Sequence, residues 1–297
     1  MKIMVFGGSG FLGSHVADAL TEAGHRVTIF DRRQSPHIRR GQRMIVGNIT
    51  DIAAVERAVR GQEAIFNFAG FSDIEEAQTH PLETVEANIK GNVIILEACR
   101  KNRVGRYLFA STVYVYSDAA SFYRASKLAC EAYIDVYQRL YGLRCTILRF
   151  GSLYGPRSTR SNGIRGFLES ALHRRRIDYW GTGEEVREYV YVRDAALCCL
   201  DALKSAQTNE CVLVTGGQAM RVRDLLGMIR EMFRNRVRVF YRPGSRPDLS
   251  DLHYRITPYA YVPKPARKIV RTDVCDLGQG LLNVLKELES NESPNLP

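Results

Sequence analysis

The stretch VFGGSGFLGSHVADAL, residues 5–20, constrains this chain more than any other. It follows the apolar run KIMVF and opens a segment with helical spacing. Gly8, Gly10 and Gly13 fit the spacing GxGxxG, and Gly7, Gly10 and Gly13 fit GxxGxxG. Both spacings have the same physical content. The turn needs backbone conformations that glycine adopts cheaply. The missing side chains let the backbone approach a pyrophosphate, with Phe11 and Leu12 beside it at the start of the helix. The helix N-terminus adds free N–H groups and the positive end of its dipole. The opening basic-then-apolar run is too short and too broken by glycine for a signal peptide, and reads as a first strand.

A strand–turn–helix unit of this kind continues into a parallel second strand, here RVTIFD. Its last residue, Asp31, stands eighteen positions after Gly13. A carboxylate there accepts hydrogen bonds from both hydroxyls of an adenosine ribose and repels a 2′-phosphate, which favours NAD. Arg32 and Arg33 follow at once and are able to hold such a phosphate, so NADP stays open at this level. After a fourth strand, NFAG sets the small Ala69 and Gly70 behind Phe68, where a cofactor can pass close to the backbone.

The alternation continues through RMIVG, a helix from Asp51, EAIFNF, a helix through ETVEANIKGNVIILEACRKN, the strand RYLFAS with Ala110 near its end, a helix over about 121–141, and RCTILRF. Nearly continuous apolar strands joined by short connections are what parallel strands buried on both faces require. The predicted fold class is α/β: a doubly wound parallel Rossmann sheet with a smaller C-terminal substrate-binding α/β domain. The expected boundaries are 1–160 for the NAD-binding domain, with 186–214 returning to it, and 161–297 mainly for the substrate-binding domain. GSLYGPRSTRSNG reads as turn chemistry. Beyond it come a helix near 163–174, the short segment IDYW, the stretch EYVYVRDAALCCLDAL, the strand CVLVT, a helix near 221–233 and the strand VRVFY. Few elements are expected over 242–275, and a helix resumes near Leu277.

Composition narrows the function classes. At 297 residues, 45% hydrophobic and 25% charged, the chain has the makings of a sizeable core and no apolar run of membrane-spanning length. Its seven cysteines show no CxxC or Cys/His spacing, which argues against zinc and against a disulfide framework and fits a cytoplasmic protein. Cys99, Cys130, Cys198 and Cys199 read as packing residues. The formal charge is +10, with arginines grouped in DRRQSPHIRRGQR and HRRRID. No aromatic-interleaved RNA-binding motif accompanies them, so an anionic small molecule is the expected partner rather than nucleic acid or a membrane.

A second motif lies in STVYVYSDAASFYRASK, residues 111–127. Thr112 stands at a strand end, and Tyr123 and Lys127 lie four apart on the following helix, hence on one face. An unperturbed phenol, with a pKa of about 10, is a poor base at neutral pH. A nearby ammonium and a cationic nicotinamide stabilise the phenolate. Thr112 is able to orient the same substrate hydroxyl, and Lys127 to donate to the nicotinamide ribose.

Together these pieces resemble the extended short-chain dehydrogenases/reductases of the NAD-dependent epimerase/dehydratase group, the nucleotide-sugar enzymes. The resemblance runs from residue 3 to about 248 through GGSGFLGSHV, Asp31, NFAG, ANIKGN, STVYVYS, YRASKLACE, LRFGSLYGPR and GTGEEVREYVYVRDAA. It implies Tyr123 as base, Lys127 as its partner and Thr112 as the third catalytic group. It implies adenine contacts at Asn48 and Ile49 and a cofactor-side role for Asn88. It puts Ser72, Thr112 and Ser152 on the substrate, with Arg187 and Arg246 on a nucleotide diphosphate. A homodimer formed through helices around 82–102 and 121–141 follows as well.

The departures are informative. The dehydratase branch carries Asp-Glu after the Thr, and here Val113 and Tyr114 stand there, which disfavours 4,6-dehydration. Ser152 replaces a usual Asn, and Asn48 a usual Asp. Only ten residues separate Thr112 from Tyr123, where relatives carry a longer insertion over the sugar. The stretch HYRITPYAYVPKPARK, 253–268, is expected either to supply that cover or to leave a wider pocket. The leading expectation is a nucleotide-sugar epimerase working through a keto intermediate. A reductase or dehydrogenase of the same fold and a catalytically idle NAD-binding sensor remain as alternatives.

Overall fold

The computed structural model describes residues 1–206, 208–242 and 255–256. Its central strand, β1 (Lys2–Phe6), shows why the sequence is apolar without alternation. Ile3 and Val5 enter the core on one side of the sheet, Met4 and Phe6 the core on the other, and all four are fully buried. Side chains alternate along a strand, so a strand covered on both faces is apolar throughout.

From β1 the chain runs through α1 (Phe11–Glu22), β2 (Arg26–Asp31), β3 (Arg43–Val46), α2 (Ile52–Val59) and β4 (Ala64–Asn67). Two short helices, α3 (Ile74–Thr79) and α4 (Pro81–Thr84), lead through a π-helical turn at Val85–Lys90 into α5 (Gly91–Lys101). Then come β5 (Arg106–Thr112), a single 3₁₀ turn at Val113–Tyr116, α6 (Phe122–Tyr141), β6 (Cys145–Phe150) and β7 (Ser152–Tyr154). The later elements are α7 (Gly163–Arg174), β8 (Arg176–Trp180), β9 (Val186–Tyr191), α8 (Val192–Lys204), β10 (Glu210–Val214), β11 (Ala219–Arg221), α9 (Val222–Met232) and β12 (Arg238–Arg242).

Seven strands pair in the order β10-β6-β5-β4-β1-β2-β3, every pair parallel. This is the doubly wound α/β fold expected from the sequence. The chain winds outward in both directions from β1 and β4, and the strand order reverses between them, which opens a crevice at their C-terminal ends. One face is covered by α1 and α8, through Val16, Leu20, Ala195 and Cys199. The other is covered by α2, α5 and α6, through Val55, Ile95 and Ile134. A small separate core gathers Ala171, Ile177, Leu226 and Ile229 from α7, β8 and α9.

The differences from the sequence reading are local. The helix expected to run unbroken through ETVEANIKGN changes to π geometry at Val85–Lys90, a form that often marks functional positions. GSLYGPR, read as turn, contains β7, which is only three residues long and is held by parallel pairing with β9. α3 was hidden because its signal is one N-cap, Asp73, accepting from the Glu76 amide at 2.9 Å. Cys99, Cys130 and Cys199 are buried as expected, but Cys198 is exposed. Adjacent helical residues point about 100° apart, so Cys198 and Cys199 cannot both face the sheet. The helix expected near Leu277 lies outside the described residues. Among the described residues no helix is long and apolar enough to cross a membrane.

Candidate active site

A cleft of about 2450 Å³ opens at the C-terminal ends of the central strands. Drug-sized ligands occupy roughly 300–1,000 Å³, so this space admits a dinucleotide and a second ligand together. Gly7, Gly10, Phe11, Leu12, Gly13, Asp31, Arg32, Asn48 and Ile49 line one end. Phe68, Ala69, Gly70, Ser72, Ala110, Thr112, Tyr123 and Lys127 line the middle, and Ser152 and Arg187 lie on the far wall.

At the glycine end the main chain sets the shape. Gly7 has φ +76°, and a Cβ there would lie 2.6 Å from the Ala69 nitrogen. A Cβ on Gly13 would lie 2.3 Å from the Gly7 carbonyl oxygen. Both glycines are therefore required by the packing of turn against strand and helix against turn. Gly10 is the N-cap of α1 and offers no side-chain acceptor, which leaves the helix start to an external anion. Asp31 accepts from the amides of Ser9 at 3.0 Å and Arg33 at 3.3 Å, and the Ser9 hydroxyl donates to the Arg33 carbonyl at 3.0 Å. The carboxylate is thus fixed beside the turn, with lone pairs remaining for ribose hydroxyls. Asn48 is fixed too: its side-chain oxygen accepts from the Thr50 amide at 3.1 Å. These surfaces fit a pyrophosphate at the turn and a ribose at Asp31.

Behind the middle of the cleft, two buried asparagines shape the backbone. Asn67 donates to the Tyr107 hydroxyl at 2.9 Å and to Asn92 at 3.2 Å, and accepts from the Ala69 amide at 3.1 Å. Asn88 accepts from the Phe71 amide at 2.7 Å and donates to the Phe71 carbonyl at 3.1 Å and to Ser126 Oγ at 2.8 Å. Ser126 in turn donates to the Tyr123 carbonyl at 2.8 Å. Asn88 therefore stands behind the cleft wall rather than on it. It ties Gly70–Phe71 to the helix that carries Tyr123. Gly70 is at φ +131°, and a Cβ there would strike Asn88 Oδ1 at 2.2 Å.

The Thr, Tyr and Lys come together where β5 ends against the first turns of α6. Ser121 caps α6 by accepting from the Arg124 amide, which fixes where Tyr123 starts. Thr112 caps the 3₁₀ turn by accepting from the Tyr114 amide at 3.3 Å. Lys127 is buried, donates to the Ala110 carbonyl at 2.8 Å, and sits 4.7 Å from the Phe109 ring centroid and 5.8 Å from that of Tyr123. Burial lowers its ammonium below the usual lysine range, while Cys130 and Glu131 pull the other way. A partly buried network anchors the turn that follows Thr112. Glu131 pairs with Arg149 at 2.6 Å and accepts from Ser111, and Arg149 bonds to the Tyr116 hydroxyl and packs over its ring at 4.6 Å. Ten residues are thus enough to join Thr112 to Tyr123 on one wall.

On the far wall, Ser152 pairs with Tyr189 in the parallel β7–β9 register. Arg187 Nη1 donates to the carbonyls of Val186 at 3.0 Å and Arg255 at 2.9 Å. Arg255 and Ile256, from the stretch expected to cover the sugar, line this same cleft. The remainder of that stretch and Arg246 lie outside the described residues. Asn67 and Asn92 stand inside NFAG and ANIKGN, but nothing in those motifs shows that they meet Tyr107 in one buried polar cluster.

The model of the NAD-dependent epimerase/dehydratase family matches residues 3–216. The chain belongs to that family. A putative UDP-glucose 4-epimerase of Methanocaldococcus jannaschii is 28% identical over 310 aligned positions, covering 97% of this chain and 99% of its own. A dTDP-glucose 4,6-dehydratase of Mycobacterium tuberculosis is 29% identical over 225 positions, 65% of this chain and 66% of its own. Among solved structures, the UDP-glucose 4-epimerase of Thermotoga maritima with UDP-glucose superposes with a TM-score of 0.80 at 28% identity, covering 88% of this chain and 90% of its own. The UDP-glucose 4-epimerase of Thermus thermophilus in complex with NAD gives 0.78 at 27%, with 88% and 90% covered. Family members thus include both epimerases and dehydratases of nucleotide sugars.

Proposed function

We propose that this family member is a NAD-dependent nucleotide-sugar epimerase that inverts a sugar hydroxyl carbon through a keto intermediate, C4 being the position named for the epimerase relatives. The observation that carries this reading is the gathering of Thr112, Tyr123 and Lys127 in the cleft below the glycine turn, with Val113 and Tyr114 where elimination of water calls for an acid and a base. The glycine turn and Asp31 would hold NAD, which would supply hydride-transfer chemistry at the sugar carbon, first as oxidant and then, once reduced, as reductant. Tyr123 takes the hydroxyl proton as the carbon is oxidised and returns it to the opposite epimer. The Lys127 ammonium favours the phenolate of Tyr123 by charge. The Thr112 hydroxyl orients the reacting oxygen, which is worth most where a hydrogen bond fixes a single geometry. The amides at the start of α1 hold the pyrophosphate, and Asp31 takes the ribose and disfavours a 2′-phosphate.

Arg187 serves the substrate diphosphate, which a guanidinium binds bidentately. Arg246 is assigned the same role. Ser72 and Ser152 contact the sugar. The same reading includes a homodimer: Tyr133, Val136, Leu140 and Tyr141 are exposed on one face of α6, the arrangement a helix shows toward a partner.

Proton NMR of NAD-loaded protein mixed with UDP-, dTDP- and GDP-hexoses tests the reading. One nucleotide sugar should be converted to its epimer without net cofactor reduction. Conversion of none by protein that binds NAD would reject it, and a keto-deoxy sugar product would place the chain among the dehydratases.

A further inference from the structure

Thr112, Tyr123 and Lys127 do not account for every protic side chain at the reacting end of the cleft. Tyr114 lines it as well, two residues after Thr112. Its ring stands edge-on to that of Tyr123, with centroids 6.4 Å apart and planes at 78°. The main chain at Tyr114 is firmly held. The Tyr114 amide donates to Thr112 Oγ1 at 3.3 Å. Its carbonyl accepts from the Ser117 amide at 3.0 Å, the Ser117 hydroxyl at 2.8 Å and the Arg124 guanidinium at 3.1 Å. A backbone clamped by four hydrogen bonds presents its side chain at a set place, as a specificity-determining wall must.

The geometry points to Tyr114 as a specificity-determining residue: its ring bounds the sugar subsite beside Tyr123 and limits the size of the sugar that enters. This inference rests on the proposed nucleotide-sugar reaction. Two observations turn a partly buried aromatic into a wall. The connection from Thr112 to Tyr123 is short, and its single 3₁₀ turn sets Tyr114 between the Thr112 end of β5 and the Tyr123 start of α6. The ring is large and has few rotatable bonds, so it bounds space at low entropic cost. The ring rather than the hydroxyl performs this role, since proton exchange is assigned to Tyr123.

The test compares NAD-loaded parent, Tyr114→Ala and Tyr114→Phe on unsubstituted and N-acetylated nucleotide hexoses. Tyr114→Ala should raise KM for the parent's best substrate about tenfold while kcat changes by less than about threefold. It should also shift the preference toward the bulkier sugar by about tenfold. Tyr114→Phe should stay near the parent in both respects. If the alanine variant loses its NAD-induced thermal shift, Tyr114→Leu carries the same expectation. Unchanged KM and preference in the alanine variant, or a phenylalanine variant as impaired as alanine, would overturn the inference alone. A parent that neither binds nor converts any nucleotide sugar would overturn the proposed function and this inference with it.

Discussion

The two ends of the cleft reach their shape by different routes. At the glycine end, the surface is main chain, and its tolerances are fractions of an ångström: a Cβ on Gly13 would sit 2.3 Å from the Gly7 oxygen. At the substrate end, the surface is side chains brought in by β5, α6, β7 and β9, elements that run from Arg106 to Tyr191 along the chain. A backbone site tolerates almost no change of residue but needs only a short stretch to specify it. A side-chain site admits many residue types and is assembled only by the fold. The same fold can therefore keep its cofactor end and change its substrate end, as members acting on UDP- and dTDP-sugars illustrate.

The comparison is sharpened first where the ends meet. Tyr123→Phe should lower kcat by about 10³ while the NAD-induced thermal shift persists, because the chain Asn88–Ser126 anchors this helix through the backbone carbonyl of Tyr123, which the substitution leaves in place. Gly13→Ala should weaken NAD by about a hundredfold, near 2.7 kcal/mol, in titration calorimetry. NAD affinity that survives this change would break the claim that main-chain contact controls that end. Arg187→Ala should cost about tenfold in affinity for the nucleotide diphosphate, with NAD binding unaffected. A loss of NAD instead would show that the two ends are not separable.

The smallest effect concerns Lys127. Its folded-state pKa lies below the ordinary lysine value of 10.5 because burial penalises the charge. In the window between the lowered value and 10.5 the unfolded chain binds more protons than the folded one, so stability rises with pH. Thermal melts of the parent and of Lys127→Met, followed from about pH 8 to pH 10, should show the parent gaining stability relative to the variant. Parallel curves would mean that the ammonium carries no burial penalty.

What was legible in the sequence follows the same division. Gly7, Gly10, Gly13 and Asp31 could be read because strand, turn and helix are contiguous and the physics admits few residue types. The seven-stranded parallel sheet could be read from apolar runs without alternation, such as the fully buried Ile3–Phe6. Thr112, Tyr123 and Lys127 were readable because they lie within sixteen residues of one another. Asn88 was noticed through resemblance, but its position behind the wall was not, since the π turn that places it leaves no pattern in ETVEANIKGN. The Glu131–Arg149 pair and the Asn67–Asn92–Tyr107 cluster join elements distant in sequence, and nothing local announces them. β7 escaped because a three-residue strand depends wholly on its partner β9.

The central claim is that the glycine end would hold one cofactor serving both hydride transfers at the sugar carbon, on opposite faces, while Tyr123 handles the proton. A nucleotide hexose deuterated at C4, incubated with NAD-loaded protein in ordinary water, tests this directly. The account predicts an epimer that keeps its deuterium at C4, formed about 10³ times more slowly by Tyr123→Phe. Epimerisation with loss of the label to solvent, or full activity in Tyr123→Phe, would contradict it.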